Sequence, residues 1–172
     1  MRKLKLHELD RPSLAEYQAR DKRPVIVVLD NLRSGLNVGS IFRTADAFAI
    51  EKVLLTGITA RPPHREIQKT AIGATESVAW EYVEDPVTAL RALQEAGYEI
   101  LPVEQTDQSV SLWEVDVPSK VVLVFGNEVD GVRDEILALA EQSIEIPQYG
   151  TKHSFNVAVS AGIVLWEVCR WI

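Results

Sequence analysis

Apolar residues fall along this chain in short separate blocks. VIVVLD (25–30), KVLLTG (52–57), SVAWEYV (77–83), EILPVE (99–104), KVVLVFG (120–126) and SIEIPQ (143–148) are each bounded by polar or turn-forming residues. Runs this short and this rich in valine, isoleucine and leucine read as strands buried on both faces. Helical stretches are expected between them, at 37–49, 86–96, 133–142 and 156–171. The second is clearest, with Asp85 at N-cap, Pro86 at N1 and Gly97 just past the end. The third carries Ile136, Leu137, Leu139 and Ala140. Upstream, Ser13 and Glu16 have capping-box spacing, which predicts a short helix over 13–20. Strands alternating with helices predict an α/β fold, a mostly parallel sheet with helices on both faces. Residues 1–24 are expected to form a short helical extension and residues 25–172 a single domain.

The last helical stretch differs from the others. NVAVSAGIVLW (156–166) carries no charge, where a surface helix would show one apolar stripe. Two explanations stand side by side, a central core helix and a helix packed against a second subunit. Ala158, Ala161 and Gly162 would let another backbone approach closely.

Composition narrows the class. The chain has 172 residues, 47% hydrophobic and 25% charged, which is ordinary for a globular protein and excludes disorder. No apolar stretch is long enough for a membrane span, and the charged MRKLKLHELD start leaves no room for a signal-peptide core. One cysteine, Cys169, has no internal partner, so a reducing, cytoplasmic setting is expected. His7, His64 and His153 are scattered, and no metal site is expected. The net charge of −7 argues against nucleic acid, which is held mainly by Lys and Arg, although a local basic patch remains compatible with it.

Three polar clusters follow strand ends, where parallel α/β sheets bind ligands. In the first, DNLRSGLNVGSIFR (30–43), Gly35 and Gly39 flank Asn37 at a helix start, and free amides there suit an anion. Arg43 lies one turn beyond Gly39; it reads either as a functional cation or as a solvated helix charge. The cluster matches neither G-x-G-x-x-G nor a Walker loop. In the second, FGNEVDG (125–131), Gly126 would let a ligand approach the backbone. Glu128 is a helix cap or an active-site carboxylate, and Asp130-Gly131 is turn chemistry. In the third, IPQYGTKHSFN (146–156), Ser154 is expected as N-cap of the last helix. Asn156 lacks an obvious structural role.

Together, N37-V-G-S-I-F-R43, L123-V-F-G-N-E-V-D-G-V132 and I146-P-Q-Y-G-T-K-H-S-F-N-V-A-V-S-A161 resemble the three motifs of the SpoU/TrmH family, RNA ribose 2′-O-methyltransferases of the SPOUT superfamily. The resemblance covers about residues 25–172. It implies a C-terminal deep trefoil knot, S-adenosylmethionine as cofactor, and a homodimer through the C-terminal helix with the active site at the interface. It implies catalytic roles for Arg43, Asn37, Glu128, Asn156 and Ser154. It implies a cofactor site at Val103, Glu104, Gly126, Asn127, Gly131, Ile146, Ser154 and Phe155. Phe155 stands where the family usually has leucine. With a short extension, RNA capture would fall to the core and the first helix.

Ribose methylation needs the oxygen and methyl carbon held in line and the 2′-hydroxyl deprotonated. A guanidinium is always charged and lacks an acceptor, so Arg43 is read as a cation stabilising the developing alkoxide, oriented by Glu128. Arg33, Arg65, Lys69 and Lys152, with Arg61 and His64 nearby, are candidate RNA contacts or solvated charges. Of the RNAs, tRNA is favoured over rRNA. Two other readings remain: a non-catalytic RNA-binding member of the same fold, and a small-molecule enzyme using the helix-terminus anion site.

Overall fold

The computed structural model describes residues 1–172, the side chain of Leu6 excepted. Seven strands, β1 (Arg23–Asp30), β2 (Ile50–Thr56), β3 (Ala79–Val83), β4 (Glu99–Val103), β5 (Ser109–Ser111), β6 (Val121–Phe125) and β7 (Ser143–Glu145), form one sheet. Their order is β3-β2-β1-β6-β4-β7-β5, and each strand pairing is parallel. The strands β1 and β6 lie centrally, and all five β6 residues are buried. This explains their uninterrupted apolar runs, since both faces are covered.

Alternation along the central strands divides the core in two. Val25, Val27, Leu29, Leu123 and Phe125 face a layer built from α2 (Gly35–Phe48), α3 (Arg65–Ala71), α4 (Ala74–Ser77) and α7 (Val157–Val168). Ile26, Val28, Val122 and Val124 face Leu90 and Ile136, from α5 (Pro86–Glu95) and α6 (Asp134–Leu137). A sheet with helices on both faces is therefore confirmed. The N-terminal helix α1 (Leu14–Ala19) has the expected Ser13–Glu16 capping box and docks through buried Tyr17, whose hydroxyl donates to the Asp46 carbonyl at 3.1 Å.

Several expectations shift. The stretch expected as a helix over 133–142 shortens to α6, because Leu139 and Ala140 close onto Ile136 and Leu137 with tight i,i+3 bonds before the chain enters β7. The helices α3 and α4 and the strand β5 were unassigned; each is short, and α3 and α4 bury only Ile67, Ala71 and Ala74. The helix α5 starts and ends as read, with the Asp85 side chain accepting from the Thr88 N–H and Gly97 at φ 88°. No helix is long and apolar enough to cross a membrane.

Candidate active site at the strand ends

The carboxyl ends of β4, β6 and β7 open into a cavity of about 480 Å³. Every residue expected at the cofactor lines it: Val103, Glu104, Gly126, Asn127, Gly131, Ile146, Ser154 and Phe155. Glu128 and Asn156 line it too.

A chain of hydrogen bonds joins the three polar clusters. The Asn156 amide donates to Asn37 Oδ1 at 3.2 Å, and the Asn37 amide donates to Glu128 Oε1 at 3.0 Å. Glu128 also accepts from the Arg33 N–H (2.9 Å) and the Ser34 N–H (3.3 Å). Residues 91 and 119 positions apart are thereby locked together. Burial pushes the Glu128 carboxyl up, but these N–H donors and the Asn37 amide outweigh it and hold it below its ordinary value. Glu128 is thus favoured as an anion and clamps the start of α2.

This arrangement revises several assignments. The N-cap of α7 is Asn156, whose Oδ1 accepts from the Ala158 and Val159 N–H groups, and not Ser154. Ser154 is left exposed on the cavity wall, and Asn156 gains the structural role it lacked. The start of α2 is not an anion site. The Ser34 hydroxyl caps Asn37 N, and the Glu128 carboxylate already neutralises the end of the helix. The small-molecule enzyme built on that anion site loses its basis.

A Cβ on Gly126 would sit 2.2 Å from Gly131 C and Val132 N, so the chain's own 127–131 turn already approaches this glycine closely. A Cβ on Gly39 would meet the Ile67 carbonyl oxygen at 2.3 Å, so this glycine lets α3 seat on α2. Gly131, at φ 72°, has the turn role expected of it.

Arg43 lies on the exposed stripe of α2 with Leu36 and Ala47. It is not part of the cavity wall and makes no side-chain hydrogen bond or ion pair among the described residues, so Glu128 does not orient it within one chain. Arg61, His64, Arg65 and Lys69 gather along the 61–69 segment, exposed, with Arg61 stacked 4.0 Å from the Tyr82 ring centroid. Lys152 is exposed in the 146–156 loop.

One pair that braces the site leaves little mark in the sequence pattern. Asp30, fully buried at the end of β1, accepts from Arg133 Nε (2.9 Å), Arg133 Nη2 (2.5 Å) and the Thr56 hydroxyl (2.7 Å). Hydrogen bonding to Asp30 raises the Arg133 pKa further. The pair fastens the far end of the 126–133 loop to β1, while Glu104 accepts from the Val132 N–H at 3.0 Å on the other side. The only signal was an acidic residue closing an apolar run.

A family model described as the SpoU rRNA methylase family matches residues 24–166, which span the sheet and all three clusters. The chain belongs to this family. It is 34% identical over 163 residues to a tRNA (guanosine(18)-2′-O)-methyltransferase of Aquifex aeolicus, covering 91% of this chain and 74% of the relative. It is 33% identical to a 23S rRNA (guanosine-2′-O-)-methyltransferase of Neisseria meningitidis, covering 86% of this chain but only 58% of the relative. Among solved structures, the A. aeolicus TrmH/SpoU tRNA modifying enzyme superposes with TM-score 0.82 at 32% identity, over 91% of this chain and 79% of that one. An rRNA methyltransferase from Sinorhizobium meliloti, solved with AdoMet bound, gives 0.80 at 30% identity, over 87% and 57%.

Proposed function

We propose that this chain is an S-adenosylmethionine-dependent methyltransferase acting on the ribose 2′-hydroxyl of RNA, with tRNA preferred to rRNA. The observation that carries it is the Glu128–Asn37–Asn156 chain of hydrogen bonds, which ties all three family motifs to one cavity at the strand ends. The relative spanned most fully of the two above is a tRNA enzyme, which favours tRNA. A cytoplasmic setting, the compartment of such a substrate, is part of the reading.

The cavity chemistry fits the cofactor. Its lining includes Glu104, Glu128 and Glu145 and no Lys or Arg, which favours a cationic ligand over a phosphorylated nucleotide. Val103, Phe125, Ile144, Ile146 and Val157 offer apolar surface for a flat base, and the volume is that of a small-molecule site. When bound, S-adenosylmethionine supplies an electrophilic methyl group. The chain's residues do the rest. Glu104 and the Asp30–Arg133 pair hold the 126–133 loop in place. Glu128, which accepts from the Arg33 and Ser34 N–H groups and the Asn37 amide, clamps the start of α2. Arg43 stabilises the 2′-alkoxide as its proton leaves.

Since Arg43 is not among the residues that line the cavity within one chain, the reading includes a homodimer that completes the site. Thr44 and Phe48 of α2, with Val159, Gly162 and Trp166 of α7, line an apolar groove beside Arg43. The reading also includes a threaded C-terminus. The strand β7 lies between β4 and β5 while α7 packs on α2, an arrangement that supports this part of the reading. Since β1 starts at Arg23, the extension that helps the core capture RNA is the segment 1–22.

The test is single-turnover transfer of labelled methyl to tRNA and to rRNA fragments. Arg43→Ala should lower the rate by about 10²-fold, the scale for losing one preorganised charge. Its S-adenosylmethionine affinity, read by calorimetry, should be unchanged. Cofactor binding with no transfer to any RNA by the wild type would favour the non-catalytic RNA-binding reading instead.

A further inference from the structure

A second cavity, of about 450 Å³, adjoins the first across Asn127 and Gly131. Its lining differs in kind. It carries the guanidinium of Arg33 beside the carboxylate of Asp130, with Ile58 exposed next to them. Arg33 Nη2 and Asp130 Oδ2 stand 3.9 Å apart, and the two side chains are 58% and 76% exposed. An ion pair so long and so wet is weak and opens readily to a ligand.

The backbones beneath these side chains are fixed. The Arg33 N–H is held by Glu128 at 2.9 Å, and the Asp130 N–H by Asn127 Oδ1 at 3.1 Å. Asn127 is itself anchored, its amide donating to the Asn31 carbonyl at 2.7 Å. A fork of donors and a pair of acceptors are therefore presented side by side, one turn of chain from the cofactor cavity.

We propose that this second cavity receives the base of the nucleotide being methylated, and that Arg33 and Asp130 select guanine there. This rests on the function proposed above. Along one edge guanine offers two acceptors, N7 and O6, followed by two donors, the N1 and N2 hydrogens. A guanidinium fork meets the first pair and the neighbouring carboxylate meets the second. Adenine alternates acceptor, donor, acceptor, uracil does the same, and cytosine leads with a donor before two acceptors. Among the four bases only guanine satisfies both groups without leaving one unpaired, and a charge that the bound base covers but does not pair is costly. Ile58 gives the base an apolar face to rest on.

The test uses the full chain with S-adenosylmethionine and unmodified tRNA and rRNA transcripts, followed by digestion and mass spectrometry of the four 2′-O-methylnucleosides. The wild type should yield 2′-O-methylguanosine almost alone. Asp130→Asn and Arg33→Gln should each lower its single-turnover yield by about tenfold or more, the scale of one bidentate base contact. Both variants should keep wild-type cofactor affinity and melting temperature, which a merely structural role would not predict. Inosine at the mapped site lacks the N2 donors, so it should slow the wild type more than it slows Asp130→Asn. A wild type that methylates another base, or variants with unchanged yield and selectivity, would overturn the base pocket alone. Absence of any 2′-O-methylnucleoside would overturn the proposed function and the pocket with it.

Discussion

Glu128 follows the end of β6, the position that marks it for the site, and it lines the cavity at the strand ends. Its hydrogen-bond partners lie more than 90 residues away, so no local pattern announced that it clamps α2. The same distance hid the Asp30–Arg133 pair, whose partners are 103 positions apart. Because the N–H donors hold the Glu128 carboxyl below its ordinary value, its contribution to stability is full above the unfolded carboxylate range. It is lost as pH falls through the lowered folded value. Glu128→Gln should therefore melt below the wild type at pH 7, and the gap should close on titration below about pH 4. A gap that stays constant down to pH 3 would show that the charge is irrelevant to the clamp. Cys169 makes a simpler case: burial pushes its thiol up to about 11, so it should resist alkylation at neutral pH in the folded chain. Rapid labelling without unfolding would contradict that.

At the scale of elements, the runs that cross the middle of the sheet were legible because burial on both faces leaves no room for polar residues. The helix α5 was legible because its start and stop residues are local. The helices α3 and α4 were not, since their few apolar positions make sense only against Gly39 and the flank of α2. The uncharged helix α7 answers partly to each of its two explanations. Ala161, Val164, Leu165 and Val168 are buried in the chain's own core, whereas Val159 and Trp166 are 50% and 67% exposed. A charge at Val164 would therefore unfold the protein without reporting on assembly. Val159 is the informative position, because it lines the apolar groove formed with α2. Val159→Glu should leave the melting curve of the monomer cooperative and shift sedimentation from dimer to monomer at micromolar concentration. A wild type that sediments as a monomer there would remove the homodimer.

Charge is the property in which the whole molecule and its parts diverge most. A net charge of −7 would repel a polyanion at long range, yet Arg61, His64, Arg65 and Lys69 stand together along one exposed segment. The seating of α3 on α2 through Gly39 holds that segment beside the helix that carries Asn37 and Arg43. Composition averages over the surface and hides this, whereas the local sequence shows it: the four fall within 61–69, just past the end of β2. On the proposed function, the acidic cavity would take the cationic cofactor and the basic segment the phosphates. Phosphate contacts are sequence-independent and release counterions. Replacing both Arg65 and Lys69 by Ala should accordingly weaken binding to every RNA tested by a similar factor. It should also lower the slope of log affinity against log salt by about 2. The cofactor affinity should stay at the wild-type value, because neither residue touches the cavity. Binding isotherms at several salt concentrations decide it: an unchanged slope would mean that RNA approaches by another face, and the −7 charge would then stand as an objection with nothing set against it.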